Sequence, residues 1–127
     1  MTYTPYIYKI KQVLKVVDGD TVDLLIDLGF DIYIEKRIRL YGINTPETRT
    51  RDLKEKKRGL AAKARLEELC SIPEDENLIL KSYGVGKYGR VLGEIVARGA
   101  VLNNILLGEG HAKAYPKWTF RMQSLRG

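Results

Sequence analysis

Residues Tyr6 to Val17, Thr21 to Leu28 and Ile32 to Tyr41 are three runs rich in tyrosine and β-branched residues, separated only by short polar turns. Asp18-Gly19 breaks the first run from the second, and Gly29 marks the next break. Residues of this kind favour strands, and Asp-Gly favours a tight turn. Strands joined so closely pair as antiparallel neighbours, because a parallel pair needs a long crossover. The first 41 residues therefore read as a curled antiparallel meander. In the third run Arg37 and Arg39 share one face of the strand, while Ile38 and Leu40 share the other.

The rest of the chain adds two more strands and two helices. Asn44-Thr-Pro46 ends the third strand, since Pro46 restricts Thr45 to an extended conformation. TRTRDLKEKKRG, the most charged stretch, reads as an exposed loop carrying Arg49, Arg51, Lys54, Lys56, Lys57 and Arg58. Gly59 to Cys70 reads as a helix, with an apolar stripe of Leu60, Ala64, Leu66 and Leu69 and with Lys63 and Arg65 outward. A strand starts at Leu78, a glycine-rich loop spans Tyr83 to Gly89, and a strand runs from Arg90 to Ala97. A second helix, Ala100 to Leu107, ends at Gly108 or Gly110. Three strands, a helix, two strands and a helix fit a five-stranded Greek-key barrel of the oligonucleotide-binding type. A chain of 127 residues is expected as one domain, residues 1–127.

Composition bears on partners and compartment. The formal net charge of +6 favours an anionic partner such as nucleic acid or a membrane surface. No apolar run is long enough for a transmembrane helix. The N-terminal MTYTPYIYKIKQ has no apolar signal core, which places the protein in the cytoplasm if the chain is complete. Cys70 is the single cysteine, so no intrachain disulfide forms, and its place at the end of a helical pattern reads as packing. His111, the single histidine, reads as structural or solvated, and with one distant cysteine it makes no zinc site.

Some polar residues at strand ends have chemistry to offer. Asp18 and Asp20 flank a glycine turn, a spacing at which two carboxylates can share a hard cation or its waters, although Asp-Gly turns are common in any protein. In LYGINTPET, Asn44 has an amide oxygen and Thr45 a backbone carbonyl, both calcium ligands in kind. Glu47 follows a rigid proline and suits the task of orienting water or taking its proton. Arg39 leads into this turn and Arg90 opens the strand after the glycine-rich loop. A guanidinium grips a phosphate through two hydrogen bonds and balances charge that develops at phosphorus. Each of these arginines equally suits a pair with a surface acid.

Four stretches together resemble the staphylococcal-nuclease-like, or thermonuclease, domain family: VVDGDTVDL, RLYGINTPET, KYGRVLGEI and LNNILLGEGHAKAY, covering roughly Val13 to Tyr115. The resemblance implies an oligonucleotide-binding barrel with added helices, and a calcium-dependent endonuclease. Such enzymes hydrolyse DNA and RNA at the P–O5′ bond and leave 3′-phosphate ends. It implies Asp20, Asn44 and the Thr45 carbonyl as metal ligands, with Asp18 behind them near metal-bound water. It implies Glu47 as the general base or water-orienting acid, and Arg39 and Arg90 as the phosphate clamp. Lys87 and Tyr88 would bind the neighbouring phosphate or sugar, and Tyr115 would contact nucleic acid. The partners implied are single- or double-stranded DNA and RNA, with no membrane and a monomeric protein.

Departures from the family pattern are specific. Asn44 stands where the prototype has a second carboxylate, so weaker metal binding is expected. Gly86 stands where it has an acid. The prototype carries a third helix after the tyrosine-bearing loop, whereas PKWTFRMQSLRG is a short tail, which leaves open whether the domain lacks that helix. In that tail Trp118 and Phe120 are expected to pack as a cap. A binding module without hydrolysis stays open as the alternative reading, because loss of the aspartate also fits a binding-only relative.

Overall fold

The computed structural model describes residues 6–73, 76–86 and 89–115. Its elements are β1 (Tyr6–Asp18), β2 (Thr21–Asp27), β3 (Tyr33–Leu40), β4 (Ile43–Asn44), α1 (Leu53–Cys70), β5 (Leu78–Val85), β6 (Val91–Ala97), β7 (Ala100–Val101), α2 (Leu102–Gly108) and β8 (Lys113–Ala114). The meander forms as expected. β1 pairs with β2, and β2 with β3, both antiparallel. Register shifts near Lys11, Leu14 and Val17 make β1 bulge, which bends a strand and raises its twist.

The sheet runs β3-β2-β1-β5-β6-β7, and β3 also pairs with β6. That last pairing is parallel, with Ile38 opposite Val91, Arg39 opposite Leu92 and Leu40 opposite Gly93. It closes five strands into a barrel, the architecture expected from the sequence. Inward residues fill it: Val22, Leu24, Ile38, Leu40, Leu80 and Ile95 are all fully buried. Burying a side chain of this size contributes about 1.5–3 kcal/mol. A substitution to alanine at Ile38 or Ile95 would leave a cavity at the centre of the barrel. A second pairing, β4 with β8, sets Asn44 opposite Lys113.

Several sequence expectations change, among them the start of the second helix, which is Leu102 rather than Ala100 because Ala100–Val101 pair with β6 as β7. The stretch TRTRDLKEKKRG is not a loop: α1 begins at Leu53, because the Asp52 carboxylate caps it by accepting from the Lys54 and Glu55 amides at 3.0 and 3.2 Å. Arg49 and Arg51 precede the helix, while Lys54, Lys56, Lys57 and Arg58 lie on its exposed surface. The buried stripe also shifts, to Gly59, Ala62 and Leu66, and Leu60 is 46% exposed. Small residues at Gly59 and Ala62 let the helix approach two turns closely, which larger ones would prevent. The first strand of the second half also outruns its sequence reading. β5 extends to Val85 because Gly84 pairs with Leu92 across a register shift.

Cys70 is largely buried, and burial pushes its thiol up to about 12, consistent with a packing role. The His111 amide donates to the Leu106 carbonyl at 2.9 Å, and its imidazole lies 4.0 Å from Glu109. No described helix is long and apolar enough to cross a membrane.

Candidate functional site

β2, β3 and the turn after β3 meet where Asp20 enters the barrel rim. The Asp20 carbonyl accepts from the Leu40 amide at 2.8 Å, which extends the β2–β3 ladder to the turn residue itself. Asp20 is thereby held with its carboxylate against the turn that follows β3. Oδ2 accepts from the Thr45 amide at 3.0 Å and lies 3.3 Å from Arg39 Nη2. Oδ1 accepts from the Thr21 hydroxyl at 3.0 Å. Asp20 and Arg39 are each 8% exposed and Thr45 is 5% exposed, so this is a buried ion pair rather than a surface one.

Arg39 is the hub. Nη1 donates to the carbonyls of Leu40 and Ile43 at 3.0 and 2.9 Å, and Nη2 donates to Asn44 Oδ1 at 3.2 Å. One guanidinium nitrogen therefore faces both the Asp20 carboxylate and the Asn44 amide oxygen. Burial lowers the Arg39 pKa from its usual value, and the Asp20 charge opposes that fall. Arg90 also lowers it, while Tyr115 and Glu47 raise it. The Arg90 and Glu47 charges therefore act on Arg39. Arg39 and Arg90 approach through the barrel closure, since Arg39 pairs with Leu92 two residues beyond Arg90.

The turn bearing Glu47 is wedged by the helix. A Cβ on Gly59 would lie 2.6 Å from the Glu47 carbonyl and 2.7 Å from that of Pro46. A Cβ on Gly19 would meet the Ala62 methyl at 2.7 Å and the Thr45 side chain at 3.0 Å. Helix α1 thus packs against both the Asp18–Asp20 turn and the Thr45–Glu47 turn with no side-chain spacer. The Thr45 hydroxyl is buried with no hydrogen-bond partner among the described residues. Glu47 itself is exposed. Asp18 lies at the edge of the group, where its Oδ1 accepts a short hydrogen bond from the Thr48 hydroxyl.

The structure brings Asp20, Arg39, Asn44 and Thr45 into direct contact, with the Arg90 and Glu47 charges also acting on Arg39. Asp18 is tied to Thr48. Lys87 and Tyr88 lie outside the described residues, as do Trp118 and Phe120. Arg37, on the same strand face as Arg39, is a surface partner of Asp23 at 2.8 Å. Sequence reading missed Thr21, Thr48 and the clamp of Gly59 and Ala62. A glycine at a helical position was the available signal for the last, since it costs helix stability unless something needs the space.

Among the described residues no three histidine, cysteine, aspartate or glutamate side chains gather as a metal cluster. Asp20, Asn44 and the Thr45 carbonyl are instead a mixed all-oxygen set, which suits a hard cation such as calcium in kind. Asp20 Oδ1 accepts from the Thr21 hydroxyl, and a carboxylate oxygen has two lone pairs. The set carries a single formal negative charge, and Arg39 already faces it.

A search of curated proteins gives no match. The family model described as staphylococcal nuclease homologue matches residues 37–125. The match begins after Asp18 and Asp20 and takes in Arg39, Asn44, Thr45, Glu47, Arg90 and Tyr115. With the closed barrel and the two helices of the described residues, a match over more than half of its length makes this chain a member of the staphylococcal nuclease homologue family.

Proposed function

We propose that the protein is a calcium-dependent endonuclease that hydrolyses DNA and RNA at the P–O5′ bond, leaving 3′-phosphate ends. The observation that carries this is the hydrogen-bonded knot of buried Asp20, Arg39 and Thr45 with exposed Asn44, with the Glu47 and Arg90 charges acting on its arginine. Beyond its Asp20 counter-ion, this arginine also feels the charges of Arg90 and of exposed Glu47.

Asp20, Asn44 and the Thr45 carbonyl would hold calcium, which when bound polarises a phosphoryl oxygen and offsets its charge. Glu47, fixed by its backbone against Gly59, orients a water and takes its proton as the water oxygen bonds to phosphorus. Arg39 and Arg90 hold the phosphate oxygens and stabilise the charge that grows on them. The P–O5′ bond then breaks, and the leaving oxygen takes a proton from solvent. Removing one such charged donor costs about 3–4 kcal/mol in the barrier, or 10²–10³-fold in rate. The exposed basic residues Arg49, Arg51, Lys54 and Lys57 beside the Glu47 turn favour a long polyanion and make binding weaken with salt.

The test is cleavage of single-stranded DNA in millimolar calcium, with EDTA and the Glu47→Gln protein beside it. Calcium-dependent cleavage that is lost in Glu47→Gln supports the reading. No cleavage by the folded wild-type chain sinks it.

A further inference from the structure

The outer face of the β3–β6 closure carries more than the two arginines. Tyr41 follows Arg39 by two residues, so both project from the same face, outside the barrel that Leu40 fills. The Tyr41 amide donates to the Gly93 carbonyl at 2.8 Å, which carries the strand pairing one step past β3. On β6, Ile95 points into the core, so Glu94 faces outward beside Tyr41. Tyr83 arrives at this spot from the register shift in β5 between Ser82 and Gly84. Its ring centroid is 4.8 Å from that of Tyr41, at an interplanar angle of 38°. Its hydroxyl is held by a short hydrogen bond to Glu94 Oε1. On the other side, the Tyr115 amide donates to the Gly42 carbonyl at 2.8 Å, next to Tyr41.

Neither Tyr41 nor Tyr83 belongs to the hydrophobic core, and both are partly exposed. We propose that the Tyr41–Tyr83 pair is a nucleobase-stacking subsite for the nucleotide next to the phosphate held by Arg39 and Arg90. The inference rests on the nuclease reading for the position of that phosphate. Two residues of strand separate Tyr41 from Arg39, about 7 Å along the backbone, a reach suited to a nucleotide adjoining a bound phosphate. The Glu94 carboxylate repels phosphate, so the uncharged part of the nucleotide belongs here. Aromatic rings offer such a base a flat partner regardless of its identity.

The experiment measures binding in EDTA, where cleavage does not interfere. Two fluorescein-labelled single-stranded DNA oligonucleotides of equal length are compared by anisotropy, one all thymine and one with abasic sites at its centre. Wild-type protein binds the base-bearing strand more tightly. Tyr83→Leu and Tyr41→Leu lose about 5- to 150-fold on that strand and little on the abasic one, following the usual worth of base stacking. Tyr83→Phe and Tyr41→Phe keep the preference, which separates the ring from the hydroxyl. If Tyr41→Leu unfolds on a thermal melt, Tyr83→Leu decides alone. Equal losses on both strands, no loss on either, or no base preference in wild-type protein overturns the subsite. Base-dependent binding without calcium-dependent cleavage keeps the subsite and rejects the nuclease reading.

Discussion

Replacing Asp20 with asparagine should cost more stability than any other isosteric change at this rim. The carboxylate lies 3.3 Å from Arg39 Nη2, and the two side chains are only 11% and 9% exposed. At an effective dielectric of about 20, Coulomb attraction at that distance is about 5 kcal/mol before desolvation is charged against it. Asparagine keeps an oxygen for the Thr45 amide but removes the charge. The guanidinium then stays buried without its counter-ion, a situation that costs about 3–5 kcal/mol when one partner of a buried pair is removed. We expect a loss of about 3 kcal/mol, because the carbonyls of Leu40 and Ile43 and the Asn44 amide oxygen still accept from Arg39. Urea denaturation followed by circular dichroism reads this as a midpoint lowered by about 1–2 M, taking a slope near 2 kcal/mol/M. Asp20→Asn combined with Arg39→Met should recover part of the loss, since the stranded charge is gone. A loss below about 0.5 kcal/mol for Asp20→Asn, or no recovery in the double variant, would refute the argument that burial makes this pair depend on its charge.

Further outcomes follow from the same geometry. Gly59→Ala, which in an exposed helix gains about 1 kcal/mol, should here destabilise by about 1–3 kcal/mol, because its methyl would press on the Pro46 and Glu47 carbonyls; thermal melting gives the sign. Asn44→Asp should tighten calcium binding about tenfold, equivalent to about 1.4 kcal/mol, by adding a second carboxylate to the donor set, as titration calorimetry would report. The hydrogen bond from Arg37 holds the Asp23 carboxyl below its usual 3.8. A depressed folded value stabilises above the unfolded value and is lost as pH falls through the folded one. Asp23→Asn should therefore lower the melting temperature at pH 7 and converge with wild type in acid, by under about 1 kcal/mol, since the pair is solvent-screened.

The barrel was legible because its strands announce themselves through alternation and its turns through Asp18-Gly19 and Gly29. The inward set of Ile38 and Leu40 against the outward set of Arg37 and Arg39 followed from period two alone. The start of α1 was not legible as a helix because a dense charge run looks like a solvated loop until Asp52 is recognised as a cap. Candidate residues were found by chemical type, but type does not say how they are used. Arg37 and Arg39 are indistinguishable in sequence, and one pairs with a surface acid while the other is buried as a hub. That difference arises from the turn carbonyls of Leu40 and Ile43, which no side-chain pattern records. Tyr41 and Tyr83 escaped notice because 42 positions of chain separate them, and only the register shift in β5 brings their rings together.

The parallel contact between β3 and β6 has a kinetic meaning. Arg39 and Arg90 lie on segments with helix α1 and strand β5 between them, and they become neighbours only when the ring shuts. A contact so distant along the chain carries a loop-closure cost that earlier hairpins do not. Closing this seam brings the two cations together against their mutual repulsion. Amide exchange at Tyr41, whose proton goes to Gly93, should report that closing event directly. Under the nuclease reading proposed above, a brief parting of this seam would separate Arg39 from Arg90 and stop cleavage while most of the described strands and both described helices stayed intact.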